Sequence, residues 1–180
     1  MNFKIRAATE EDCKEIWRML TELAIYLKVT DKVTITHEEL KRDGFSENPF
    51  FECLVAEVPE EHKSEEGYTV VGYALYFYTY STCSGRTIYL QDLFVMQEFR
   101  GKGIGKGLLS KVAEEKNIFF PQLGQKKKCE QLLLCGYAWN TPTQQFYAAK
   151  GAEDVDSEGS QYMCFKRQSL DNLANEAPKD

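Results

Sequence analysis

Apolar positions crowd into three runs in the first half of the chain: FFECLVAEV (50–58), TVVGYALYFYTY (69–80) and RTIYLQDLFVM (86–96). Each is rich in β-branched and aromatic residues and reads as a strand. A charged turn, PEEHKSEEGY (59–68), and a short one, STCSG (81–85), join them, which predicts an antiparallel meander. A shorter strand is expected at FKIRAA (3–8). Thr9 followed by Asp12 has the spacing of a helix N-cap with an acidic first turn. From there Cys13, Ile16, Leu20, Leu23, Ala24 and Leu27 recur at helical period and mark one face. THEELKRDG (36–44) predicts a short helix closed by Gly44.

Past residue 96 the period changes. Leu108, Leu109, Val112 and Ala113 mark a helix face, and Pro121 should stop that helix. PQLGQKKKCE (121–130) reads as an irregular basic loop, and QLLLCGYAW (131–139) as a buried strand. TPTQQFYAAKG (141–151) predicts a helix with Thr141 as cap, Pro142 in its first turn and Gly151 at its end. QYMCFKR (161–167) reads as a last strand, and residues 169–180 as a loose tail. Neither a repeat nor a linker interrupts this order. The elements predict one α+β (α/β-like) domain over 1–168, with a central mixed, mostly antiparallel twisted sheet and helices on both faces.

Composition narrows the function classes. The 180 residues suffice for one domain with a sizeable core. A net charge of −6 argues against nucleic-acid binding, which needs a basic surface. It suits a small cationic substrate, although mild acidity is also common among soluble proteins. The start, MNFKIRAATEED, has no apolar stretch, and no run approaches the roughly 18 residues of a membrane span. A cytoplasmic protein with no membrane contact is expected. The six cysteines are scattered without a CxxC pair, and His37 and His62 stand apart from any Cys or Ser motif. No metal site and no histidine-dependent triad are expected.

One stretch demands chemistry. RGKGIGKG (100–107) sits between a strand and a helix, with glycines at 101, 103, 105 and 107. Amide N–H groups at such a helix start, together with the positive end of the dipole, form an anion site. Glycine allows close backbone approach, and Arg100 and Lys106 add positive charge. The dinucleotide pattern GxGxxG fails, because Lys106 or Leu108 stands where its last glycine should be. The phosphate-loop pattern GxxxxGK[ST] fails as well. On the residues alone the stretch is either a phosphate cradle or only a tight strand-to-helix turn.

Arg-Gly-x-Gly-Ile-Gly after a strand resembles the coenzyme A pyrophosphate signature of the GNAT acetyltransferases. The similarity extends from about Phe3 to Phe165 and is greatest to the diamine (spermidine/spermine) and thialysine N-acetyltransferase branch. It rests on DGF (43–45), NPF (48–50), CLVAEVPEEH (53–62), VGYALYF (71–77), GRTIYL (85–90), RGKGIG (100–105), WN (139–140), FY (146–147) and KGA (150–152). The resemblance implies a GNAT-type domain that transfers acetyl from acetyl-CoA directly to a small primary amine in a ternary complex, as a homodimer. It implies that Leu93, Phe94 and Val95 align the acyl-pantetheine arm along their backbone. Arg100, Gly101, Lys102, Gly103, Ile104, Gly105 and Lys106 would hold the pyrophosphate, and Asn140 would contact the donor from the next strand. Tyr147 would protonate the leaving sulfur, and Tyr26, Gln91, Asp92 and Glu158 would face the amine.

The chain departs from that branch on the substrate side. The family usually carries Glu-Asp before the glycine loop, and here the pair is Gln91-Asp92. Glutamine neither accepts a proton as a base nor pairs as an anion with an ammonium. Tyr26 is followed by Leu27 rather than by an acidic residue. Either Asp92 and water suffice, or catalysis is weakened and the chain is chiefly a coenzyme A-binding homologue. A protein or peptide amine is the alternative substrate. The segment before residue 131 is longer than usual by about two helical turns, and NIFFPQLG (117–124) looks like the extra piece. Its Ile118, Phe119 and Phe120 are either an extension packed on the core or an exposed apolar patch.

Overall fold

The three apolar runs become β2 (Glu52–Glu57), β3 (Val70–Ser81) and β4 (Gly85–Val95), paired antiparallel in sequence order. The computed structural model describes residues 2–115, 117–120, 125–154 and 169 of the chain. It divides into two compact units between Cys135 and Gly136. In the first, β1 (Lys4–Ala7) pairs antiparallel with β2 on one side of the meander. On the other side β7 (Gln131–Leu134) pairs parallel with β4. The result is the expected mixed sheet, in the order β1-β2-β3-β4-β7.

Strand alternation sorts its two faces. Helix α3 (Ile104–Glu114) lies against one of them. A Cβ built on its Gly107 would stand 2.8 Å from Ile5 and 3.1 Å from Phe3, so the missing side chain lets the helix sit close on β1. A Cβ on Gly72 of β3 would meet the Phe94 carbonyl at 2.9 Å and Leu108 of α3 at 3.4 Å. Ile104, Leu108 and Val112 are the buried positions of α3.

The opposite face carries Arg6, Cys53, Tyr73 and Asp92, and α1 (Cys13–Leu27) runs over it. The Arg6 guanidinium clamps Asp12 at the head of α1 with bonds of 2.7 and 2.9 Å. Arg18 of α1 donates to the Val70 carbonyl at 3.1 Å and stacks on Tyr68. Cys13, Ile16, Met19 and Ala24 are the buried residues of α1. Thr36 caps α2 (His37–Phe45), its hydroxyl accepting from the Glu39 N–H.

Several local expectations change, among them the buried strand expected at 131–139, which is β7 alone and has no buried residue. Gly44 does not close α2 but lies inside it, and its bare side receives the ring of Phe51. Ala113 is exposed, because the face of α3 on the sheet is that of Ile104, Gly107, Leu108 and Val112. Helix α3 ends at Glu114, ahead of Pro121, and Asn117–Phe120 forms strand β5. It pairs antiparallel with β6 (Gln125–Lys128), from Asn117↔Lys128 to Phe120↔Gln125. The run Ile118-Phe119-Phe120 has strand rather than helix preference, so the supposed basic loop is in part a hairpin arm. Residues 121–124 and the strand expected at 161–167 lie outside the described residues.

In the second unit, α4 (Thr141–Ala148) starts from Asn140 rather than Thr141 as its N-cap. The Asn140 carbonyl accepts from Thr143 and Gln144, both at 3.1 Å, and Pro142 occupies the first turn, where no N–H is needed. Gly151 ends this segment at φ +88°.

Candidate functional site

The turn between β4 and α3 is built for approach by a ligand. Gly101 and Gly103 sit at φ +74° and +88°, a conformation that costs any other residue strain. Among the described residues a Cβ on either would meet nothing within 4 Å, so they leave the backbone there open. Gly103 is the N-cap of α3, and no side chain caps the helix. The first backbone bond into the cap is Gly107 N–H to the Gly103 carbonyl, at 2.9 Å. The N–H groups of Ile104, Gly105 and Lys106 therefore point out of the helix start, where the dipole is positive. Lys102 and Lys106 are exposed beside them. Bare backbone, uncapped amides and nearby cations fit a diphosphate such as that of coenzyme A.

The strand leading into the turn opens at one residue. Leu90 pairs with Tyr76 and Asp92 with Leu75, so Gln91 has no partner on β3 and forms a bulge. The parallel pairing with β7 stops at the same place, its last partners being Leu90 and Leu134. Beyond it, the Met96 N–H bonds the Val71 carbonyl at 2.9 Å. Antiparallel pairing alternates, so the peptide groups of Leu93 and Val95 turn away from β3 while those of Phe94 turn towards it. Leu93 and Val95 thus present an edge with no strand partner among the described residues. The peptide groups of these two, and not those of Phe94, face that edge.

Arg100 lies at the end of that edge. Its Nε donates to the Val95 carbonyl at 2.9 Å. Its guanidinium carbon stands 5.2 Å from the ring centre of Tyr26 and 5.6 Å from that of Phe94. The last turn of α1, the end of β4 and the glycine turn therefore meet at one cation. Tyr26 is exposed beside it.

Gln91 is exposed, and Asp92, on the α1 face, is half-buried. The Tyr73 hydroxyl donates to Asp92 Oδ2 at 3.1 Å, and Tyr73 itself is fully buried. Burial pushes the Asp92 carboxyl above its usual range, and the Tyr73 bond pulls partly against that. The Tyr73 phenol is pushed well up, first by burial and then by the Asp92 charge.

Asn140 and Tyr147 belong to the second unit. Asn140 is buried, and its N–H bonds the Tyr137 carbonyl at 2.9 Å. Tyr147 is half-buried on α4, packed edge-on against Phe146 with ring centres 5.2 Å apart. Glu158 lies outside the described residues.

Two features escape a reading of the residues. The bulge had a signal: Gln91 and Asp92 are consecutive polar residues that break an apolar run from Ile88 to Val95. Tyr73 had a weaker one, since a tyrosine in the middle of a core strand needs an acceptor for its hydroxyl.

Residues 14–152 match the Acetyltransferase (GNAT) family. The chain is 42% identical over 172 residues to a thialysine N-epsilon-acetyltransferase of Mus musculus, covering 95% of this chain and 96% of the mouse protein. It is 35% identical to the human spermidine/spermine N(1)-acetyltransferase-like protein 1, over 96% of this chain and 24% of the human one. Its fold matches that of an integron cassette protein from the mobile metagenome of V. cholerae, with a TM-score of 0.69 at 23% identity, over 98% of this chain and 99% of the other.

Proposed function

The chain belongs to the GNAT acetyltransferase family and is an N-acetyltransferase, and from that premise we propose that it acetylates small primary amines with acetyl-CoA by direct transfer in a ternary complex. Thialysine and short polyamines are the substrates that the relatives' names suggest. The observation that carries the reading is the open glycine turn, with its positive-φ backbone and uncapped amides at the head of α3. Bound acetyl-CoA would supply an activated acyl group as a thioester.

The rest is asked of the chain. The amides of Ile104, Gly105 and Lys106, with Arg100, hold the diphosphate. Leu93 and Val95 pair with the pantetheine arm through the peptide groups that face the open edge. Their N–H groups would stabilise the developing oxyanion. A primary amine with a pKa near 10 is only about one part in 10³ neutral at pH 7, so a proton acceptor is needed. Asp92 supplies charge for the ammonium, and Tyr147 gives a proton to the leaving sulfur. A cytoplasmic homodimer remains the expected form.

Thiol release measured with spermidine, spermine, putrescine, thialysine, lysine and a Lys peptide tests the proposal. Turnover of at least one small amine above the peptide supports it. Turnover of the peptide alone favours protein acetylation. Acetyl-CoA binding without turnover of any amine identifies a binding homologue.

A further inference from the structure

Asp92 is a carboxylate in an unusual position. It is half-buried between the apolar runs Ile88–Leu90 and Leu93–Val95 of β4, and among the described residues only burial and the Tyr73 hydroxyl act on it to a resolved extent. A carboxylate lodged there without a cation is costly unless something is gained from it. It also lies one residue past the bulge, where β7 leaves the sheet and the edge of Leu93 and Val95 opens. Gln91, where the family carries a carboxylate, cannot accept the substrate's proton.

Resting on the amine-acetylation reading above, we propose that Tyr73 is a positioning residue: its hydroxyl grips Asp92 by Oδ2, leaves Oδ1 for the substrate ammonium, and so fits Asp92 to take the proton that Gln91 cannot. Tyr73 can hold this geometry because its ring is locked in the core between β2 and β4, with no exposed surface. Phe94 packs beside it at 6.3 Å between ring centres. The hydroxyl is the one polar atom of that side chain, and it reaches the acid from one side only.

The proton count closes. The ammonium N–H bond breaks, and its proton goes to Asp92. The neutral nitrogen bonds to the thioester carbonyl carbon, and the carbon–sulfur bond breaks with the electron pair on sulfur. The nitrogen then loses a second proton. One of the two protons ends on the thiol and the other passes through Asp92 to solvent.

The sign of the Tyr73 effect is fixed by the bond. A hydroxyl donor favours the ionised acid, so its removal raises the pH at which Asp92 loses its proton. Among the described residues, the charged and titratable groups on this face are Tyr73 of β3, Cys53 of β2, Arg6 of β1 and, at the head of α1, Asp12 and Cys13; Asp12 and Cys13 act on Cys53, and Arg6 is held by Asp12. Burial pushes the phenol and the Cys53 thiol up, so both stay neutral through the working range.

The test has two arms. In the protein alone, carbon-13 NMR of the Asp92 carboxyl should titrate in step with the ring carbon that bears the Tyr73 hydroxyl. In Tyr73→Phe the Asp92 midpoint should rise by about one pH unit, as expected for one hydrogen bond to a charged group. In turnover, the acidic limb of kcat/KM for the amine should rise by the same amount, with acetyl-CoA affinity unchanged. Asp92→Asn should lose that limb. An unchanged Asp92 midpoint in folded Tyr73→Phe overturns the proposal, and so does an unmoved acidic limb. If Tyr73→Phe does not fold, the wild-type NMR decides, and independent titration of the two residues overturns the idea. Wild-type protein that turns over no amine defeats the functional reading instead, while the NMR arm still reports on the Tyr73–Asp92 bond.

Discussion

Gln91→Glu restores a carboxylate where the family carries one, and the structure limits what it can do. Position 91 is the extra residue of a bulge and its side chain is exposed. A new charge there sits in a high dielectric. At 4 Å a pair of unit charges is worth about 1 kcal/mol in water, and exposed ion pairs measure roughly 0.2–1 kcal/mol. That converts to a gain of about 1.4- to 5-fold in kcat/KM, since about 1.4 kcal/mol is tenfold. The gain should be larger for spermidine than for thialysine, because a polyamine brings more positive charge. It should fade between 0.1 M and 1 M salt, where the screening length falls from about 10 to about 3 Å. A second effect opposes it: a carboxylate beside Asp92 favours the protonated acid and moves the acidic limb upward. Steady-state kinetics with both amines at both salt concentrations measures all of this. A loss with spermidine would show that the side chain does not face the amine. A salt-insensitive gain well above tenfold would show that the introduced carboxylate acts as a base in a dry site, and the exposed-charge reasoning would fail.

Gly103→Ala forces a Cβ into the left-handed region and into the open turn, at a strain of roughly 1–2 kcal/mol. Calorimetry should show acetyl-CoA affinity falling at least tenfold, with a melting point lowered by only a few degrees. Tyr147→Phe should lower kcat by roughly 10²–10⁴ with acetyl-CoA affinity unchanged, the range for a lost general acid; wild-type kcat would assign the proton to water. Asp12 is pushed up by burial, but its bonds to Arg6 and Thr9 prevail and hold it below its usual 3.8. The native state thus binds the proton less readily than the unfolded chain, so this contribution is present above about pH 4 and lost as pH falls through the lower folded value. Asp12→Asn should lower the melting temperature at pH 7, and the gap should close towards pH 2.

The strands and the helices α1 and α3 are legible because burial imposes a period. Where one face meets a core, as at Ile16 or Leu108, the apolar spacing states the element directly. Where burial comes from packing against a distant residue, the residues are mute: nothing near Gly44 says that Phe51 will cover it. The glycine turn is legible because positive φ and open backbone restrict the residue to one type. Gln91 and Asp92 are visible as a departure, yet their opposite fates, one exposed and one held by Tyr73, depend on a register with β3 that neither residue announces. The hairpin of β5 and β6 escapes the sequence reading because a proline and a lysine cluster look like loop when the partner strand is unknown.

The bulge also bears on how this chain can change over generations. Strike out residue 91 and the strand reads Ile88-Tyr89-Leu90-Asp92-Leu93-Phe94-Val95, an unbroken alternation in which every neighbour keeps its side of the sheet. The flanking residues therefore pair as though position 91 were absent. Exchanging that residue for another disturbs no partner on β3. Deleting it is a different event. Leu90 and Asp92 would then follow one another directly, and the ladder with β3 would run without its interruption. Substitution here spares the pairing of the strand, whereas loss of one codon would remove the bulge itself. The opening is encoded as a count of residues and not as a kind of residue.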